Sequence, residues 1–194
     1  MKSLAVIYHS AHGHTGFIAG KVAEGARLVP GSDAQLLTAS EISATPDLLM
    51  RFDGLIFGSP TYLGGVSSTF KGFMDATGGL WKRQGLRGKL AAGFTVSSLP
   101  AGDKQSTLLS MAVFAMQHGM LWIGNPVLPE QHSGVPYEQA ANRLGSWTGL
   151  MAQAGHGAPA DEFASGDVRS AQLFGKAFAG ALRRLSPCAL GAVQ

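Results

Sequence analysis

Loops of hydroxyls, glycines and prolines that follow apolar runs are the places in this sequence where side chains and backbone could hold a ligand. The first comes after Leu4, Ala5, Val6, Ile7 and Tyr8, where Ser10, His12, Gly13, His14 and Thr15 lead into Phe17, Ile18, Val22 and Ala26 at helical spacing. The start of a helix leaves about four backbone N–H groups unpaired and carries roughly half a positive charge, so small hydrogen-bonding residues in front of it suit an anion. The same letters also fit an ordinary strand-to-helix turn capped by Ser10 or Thr15. No GxGxxG or GxxxxGK[ST] pattern is present, so a single phosphate monoester is a simpler occupant than a pyrophosphate or a nucleoside triphosphate. His9, His12 and His14 alternate across the turn with no carboxylate beside them, a poor ligand set, and no metal site is expected.

A second such loop, Pro60, Thr61, Tyr62, Leu63, Gly64 and Gly65, follows an apolar strand at 54–58. Its proline and paired glycines let the backbone approach a planar group, to which Thr61, Tyr62 and Leu63 present a hydroxyl, an aromatic face and an apolar edge. Taken alone it also reads as a plain turn. Ser97, Ser98 and Gly102 make a third loop of the same kind. His118 ends a helix as QHGM, which by itself suits a charge on the helix C-terminus with Gly119 as the stop, and Trp81 in GGLW by itself suits a packed aromatic. Lys82, Arg83, Arg87 and Lys89 form the dense basic group; it reads as a solvated loop or as a rim that attracts a phosphorylated dinucleotide.

Positioning these loops requires a sheet. Residues 4–8, 34–38, 54–58, 90–96 and 120–123 read as strands, the middle ones apolar without alternation, as in strands buried on both faces. Between them lie the first helix, a brief one around 48–50, one capped by Ser67 or Ser68 with Phe70, Phe73, Met74 and Thr77 inward, and one over 106–118 with Leu109, Ala112, Val113 and Met116 inward. A last helix spans 168–185 on Ala171, Phe174, Phe178, Ala181, Leu182 and Leu185. Strand alternating with helix demands right-handed crossovers and a parallel sheet. The expected fold class is therefore α/β, a doubly wound five-stranded parallel sheet with helices on both faces. Ligands of such sheets bind at the carboxyl ends of the strands near a switch point, where the three loops would converge. Residues 124–166, rich in proline and glycine, are irregular, and a connection that long usually serves or covers a site.

The 194 residues fit one domain over 1–185 with a flexible tail at 186–194, and a hydrophobic fraction of 45% suffices for one closed core. No run approaches the roughly 18 apolar residues of a membrane span, and the N-terminus lacks a signal-peptide pattern, so a soluble cytoplasmic protein is expected. Cys188 is the sole cysteine, which excludes an internal disulfide and a cysteine metal cluster. A net charge of +3 and a pI near 9.2 are mildly basic, but the cations are too scattered for a nucleic-acid surface.

Together, the loops resemble those of flavodoxin-like FMN proteins, and within them the WrbA-like NAD(P)H:quinone oxidoreductases. The residues that carry the resemblance are SAHGHTG at 10–16, FGSPTYLGGVSSTFKGFMDATGGLW at 57–81, GKLAAGFTVSS at 88–98 and HGM at 118–120. DATGGLW followed by GLRGKLAAGF is the most family-specific part. The resemblance implies a flavodoxin-like sheet with FMN as cofactor, its phosphate on Ser10, His12, Gly13, His14 and Thr15. It sets the ring against Pro60, Thr61, Tyr62, Leu63 and Gly64 and against Ser97, Ser98, Leu99 and Gly102, with His118 beside it. Trp81 matches an aromatic of the substrate pocket, which in the family is completed by neighbouring subunits of a tetramer. NADH or NADPH is the implied co-substrate and a quinone-like molecule the acceptor, with the flavin rather than a side chain doing the chemistry. An electron carrier of flavodoxin type and an NADPH-dependent FMN reductase are the alternatives. The sequence departs from the family at His12, where an aromatic is usual, at Tyr62, where Arg is usual, in the third loop LPAGDKQ, and in a shorter segment before Pro46.

Overall fold

A computed structural model describes residues 1–185, so the tail expected at 186–194, with Cys188, lies outside the described residues. β1 (Lys2–Tyr8) leads through α1 (His14–Arg27) to β2 (Ser32–Thr38). α2 (Ala39–Ala44) and a 3-10 turn at Pro46–Arg51 return to β3 (Gly54–Tyr62), which folds back as the short β4 (Gly65–Val66). α3 (Ser68–Ala76) and α4 (Gly78–Lys82) precede β5 (Leu90–Ser97), α5 (Lys104–Gln117) and β6 (Leu121–Trp122). A long excursion, with a 3-10 turn at Glu130–Ser133, ends in β7 (Leu150–Gln153) ahead of α6 (Ser165–Arg184).

The sheet order is β2-β1-β3-β5, and the next position is shared: β6 pairs with Leu90 and Ala91 of β5, while β7 pairs with Phe94, Thr95, Val96 and Ser97. All these pairings are parallel, and the result is the flavodoxin-like doubly wound sheet. Leu4, Ala5, Val6 and Ile7 are completely buried because both faces are covered. On one face α1 and α6 close over Val22, Phe174 and Phe178. On the other, Phe57, Phe70, Phe73 and Phe114 meet with ring centroids 5.2–6.4 Å apart, mostly edge to face. Among the described residues no helix is long and apolar enough to cross a membrane.

The structure departs from the sequence expectations in several places; α2 was not expected, and the helix read around 48–50 is a 3-10 turn. β3 continues through Pro60, Thr61 and Tyr62, so the second loop is only Leu63 and Gly64, a two-residue hairpin turn with φ of 47° and 81°. The fifth strand is split, and its β7 half falls inside the segment read as irregular. In α5 the inward residues include Leu108, Met111, Ala112 and Ala115, whereas Leu109, Val113 and Met116 are about half exposed. In α6 Leu185 is exposed past the helix end.

Candidate functional site

The carboxyl ends of β1, β3, β5 and β7 open onto one cavity of about 560 Å³, within the usual range for small-molecule sites. It lies where the strand order reverses between β1 and β3.

One end of the cavity is lined by Ser10, His12, His14 and Thr15. α1 starts from Gly13 with no side-chain cap, so the capped-turn alternative does not hold, and the N–H groups of His14, Thr15 and Gly16 have no acceptor within the helix. Ser10 Oγ is buried without a partner and lies about 3.5 Å from where a Cβ on Gly16 would stand. Gly13 has φ of 88°, and a Cβ there would come within 2.5 Å of Ala160 Cβ, so the turn admits glycine on both counts. No aspartate or glutamate lines the cavity among the described residues. A helix start, an orphaned hydroxyl and no carboxylate together fit a phosphate.

Pro60, Thr61 and Tyr62 of β3 and Val96, Ser97 and Ser98 at the end of β5 form the next walls. Thr61 does not offer the free hydroxyl expected of it: Oγ1 donates to Thr107 Oγ1 at 2.8 Å and shares a second bond of 2.8 Å with Thr95 Oγ1. Leu63 and Gly64 make the hairpin turn and Leu99 and Gly102 the third loop, but none of these four lines the cavity. Ser97 Oγ donates to the Leu99 carbonyl at 3.3 Å, and the Ser98 carbonyl accepts from Gln153 Nε2 at 3.0 Å. Lys104 Nζ donates to the carbonyls of Leu99 and Pro100, and burial pulls its pKa down to about 8.

The last wall, Ala154 to Ala158 with His156 at the rim, escaped the sequence reading. A signal was present, since LMAQ running into AGHG repeats the apolar run and glycine loop of the other strands. This loop is strapped to α1. His14 Nε2 donates to the Ala158 carbonyl at 3.0 Å, and the Phe163 ring stacks on Phe17 at 5.5 Å and meets His14 edge-on at 6.0 Å. Behind it Arg143 grips Asp167 through Nε at 2.8 Å and Nη2 at 2.9 Å, and Asp167 accepts the Gln153 N–H at 2.9 Å. Burial works against the charge of Arg143, and its bonds to Asp167 overcome that.

Two expected residues, His118 and Trp81, do not line this cavity within the chain. Crossover helices run antiparallel to the strands, so the end of α5 falls about 20 Å from the third loop at 1.5 Å per residue. There His118 is 2% exposed, with Nε2 bonded to Thr77 Oγ1 at 2.9 Å, Nδ1 without a partner, and its ring edge-on to Phe114 at 4.8 Å. Burial holds its pKa below the usual imidazole value. Trp81, half exposed on α4, lies at that same end of the sheet. In the basic group, Arg83 pairs with Asp47 and Lys89 caps the carbonyls of Met50 and Phe52.

The family model for NADPH-dependent FMN reductase matches residues 14–133. The chain is 35% identical to Flavodoxin FldP of Pseudomonas aeruginosa over 175 residues, 90% of this chain and 93% of that protein. It is also 35% identical to an NAD(P)H dehydrogenase (quinone) of Archaeoglobus fulgidus over 164 residues, 73% of this chain and 86% of that protein. Among solved structures, a flavodoxin, WrbA-like protein from Agrobacterium tumefaciens is similar with a TM-score of 0.73 and 32% identity, covering 96% of this chain and 100% of the other.

Proposed function

The chain belongs to the NADPH-dependent FMN reductase family, and from that membership we infer that it is an FMN-dependent oxidoreductase that draws electrons from NADH or NADPH. The observation that carries the assignment to this cavity is the cradle at the start of α1, with its buried, unpartnered Ser10 Oγ and no carboxylate in the cavity lining. Ser10, His12, His14, Thr15 and the backbone at Gly13 hold the phosphate. Pro60, Thr61, Tyr62, Ser97 and Ser98 flank the ring, while Leu63, Gly64, Leu99 and Gly102 shape the two loops around it. When bound, FMN supplies the redox chemistry, taking hydride from the nicotinamide and giving two electrons to an acceptor. The chain's own part is to orient the ring and leave one face open to substrate.

We propose a quinone as the acceptor, supported by the relatives that carry that activity in their names. We propose also that the single domain over 1–185 assembles as a tetramer in which Trp81, from the far end of the sheet, reaches the cavity of another copy. The half-exposed Trp81 and the exposed stripe of Leu109, Val113 and Met116 support that reading. A second reading, a flavodoxin-type electron carrier, is supported by the match to Flavodoxin FldP over 90% of the chain. The test of the cofactor assignment is the group released from the purified protein, which should co-migrate with FMN. Recovery of FAD, or no uptake of added FMN at micromolar concentration, would overturn it.

A further inference from the structure

Lys104 occupies an expensive position. Its side chain is fully buried, and among the described residues its Nζ bonds only to the backbone carbonyls of Leu99 and Pro100, with no carboxylate in hydrogen-bond contact. It is also the first residue of α5, where the helix dipole repels a cation. A methionine would fill the same space without these costs. A costly residue that breaks local rules beside a cavity points to a role in that cavity.

The surroundings show which way its charge acts. Leu99 and Pro100 continue the chain directly from Ser97 and Ser98, which line the cavity. Thr107, one turn along α5, accepts from Thr61 of the opposite wall at 2.8 Å. The charged groups that act on Lys104 are Asp167 of α6 and Arg143 of the excursion, which bond each other, and Arg143 also meets the exposed Glu138 carboxylate at 3.3 Å. Asp103 precedes it on the exposed side of the loop. Asp167 acts on Lys104 more strongly than Arg143 does and offsets part of its charge. With no carboxylate in hydrogen-bond contact or in the cavity lining, the ammonium remains a buried positive charge behind the third loop, weakly screened by salt. Its pKa of about 8 leaves it mostly charged at pH 7.

We propose that Lys104 tunes the redox balance of the site by favouring the reduced form of FMN over the oxidised form. Adding two electrons and one proton to oxidised FMN leaves one extra negative charge on it, and the ammonium stabilises that charge. The inference rests on the reading of the cavity as the FMN site.

The test compares the FMN-loaded wild type with Lys104→Met and Lys104→Gln in dithionite titrations against a reference dye at pH 7. Oxidised-FMN affinity and thermal melting are measured alongside. Both variants should prefer reduced FMN about tenfold less, a fall of about 30 mV for the two-electron couple. Glutamine keeps a donor for the Leu99 and Pro100 carbonyls, so a fall in Lys104→Met without one in Lys104→Gln would make the role positional and overturn the proposal. Equal potentials in all three proteins would do the same. Should Lys104→Met fold poorly, Lys104→Gln decides. As a further readout, raising the pH from 7 to 9.5 neutralises Lys104, so the gap between wild type and Lys104→Gln should close; a constant gap would overturn the proposal. A wild type that takes up no FMN at micromolar concentration brings down the cavity reading itself, an outcome distinct from equal potentials in loaded proteins.

Discussion

Thr15 is buried in the first turn of α1, in the cavity wall that holds the unpartnered Ser10 Oγ. Thr15→Glu would set a carboxylate against the proposed phosphate, and two charges at 4 Å repel by about 4 kcal/mol at an effective dielectric of about 20. FMN should then bind on the order of a thousandfold more weakly, while riboflavin, which lacks the phosphate, should lose far less. Fluorescence titrations of both ligands measure this, and equal losses would show that the loop is not the phosphate site. His118 gives a pH prediction. Burial depresses its folded pKa, so the unfolded chain binds more protons between that value and about 6.5. The stability it contributes is present above pH 6.5 and is lost as the pH falls through that window. Urea midpoints should decline on acidification below pH 6.5, and less steeply in His118→Gln; parallel slopes would contradict the assignment. At this scale the sequence disclosed which residue types crowd the loops. It did not disclose that Thr61 spends its hydroxyl on Thr95 and Thr107, because those partners are 34 and 46 residues away and meet it only once β3, β5 and α5 are packed.

The elements that carry the cavity were legible where local pattern and global packing agree. Continuous apolar runs placed β1, β3 and β5, and Ser67 was readable as the cap of α3, which it is through a bond from the Phe70 N–H. α5 was misread because LLSMAVFAM is apolar nearly all round, so periodicity offered two inward faces and only the neighbours could choose. β7 was missed for another reason. It is a short strand whose register on β5 depends on a pairing more than fifty residues distant, and a split strand leaves no run long enough to stand out. β7 sits on β5 through its parallel ladder, and the buried Arg143–Asp167 pair ties its end further, since Asp167 also takes the Gln153 N–H. Arg143→Leu leaves a buried carboxylate without its counter-charge, which costs about 3–5 kcal/mol. The double variant Arg143→Leu/Asp167→Leu should recover part of that loss, short of all because the Gln153 N–H is then unpaired, at about 1–3 kcal/mol. Urea unfolding of the three proteins checks it. A single variant as stable as wild type would mean that the pair does not hold the strand.

At the scale of the whole molecule, the doubly wound class followed from alternation of strand and helix alone, whereas assembly leaves only surface signs. Leu109, Val113 and Met116 are about half exposed on α5, and the first two border a groove with Met74 of α3. If copies meet there, light scattering should find an oligomer at tens of micromolar, and the pair Val113→Glu and Met116→Glu should dissociate it. A monomeric wild type would remove the means by which Trp81 could complete another copy's cavity, and the proposed composite pocket would fall. The question of enzyme against carrier turns on the same pocket. Hydride transfer needs the nicotinamide stacked on an open ring face and held there, whereas a carrier charged by a separate reductase needs no such pocket. NADH or NADPH alone should therefore bleach the flavin under anaerobic conditions, and a benzoquinone should restore its colour. Because both substrates use one face in turn, steady-state kinetics should be of ping-pong form. Trp81→Ala should slow the quinone half-reaction more than it weakens FMN binding, since the proposed contact is made to substrate at the outer pocket. If neither nicotinamide reduces the flavin within minutes while a flavodoxin reductase does so readily, the chain is a carrier and its relation to Flavodoxin FldP is the one that describes its work.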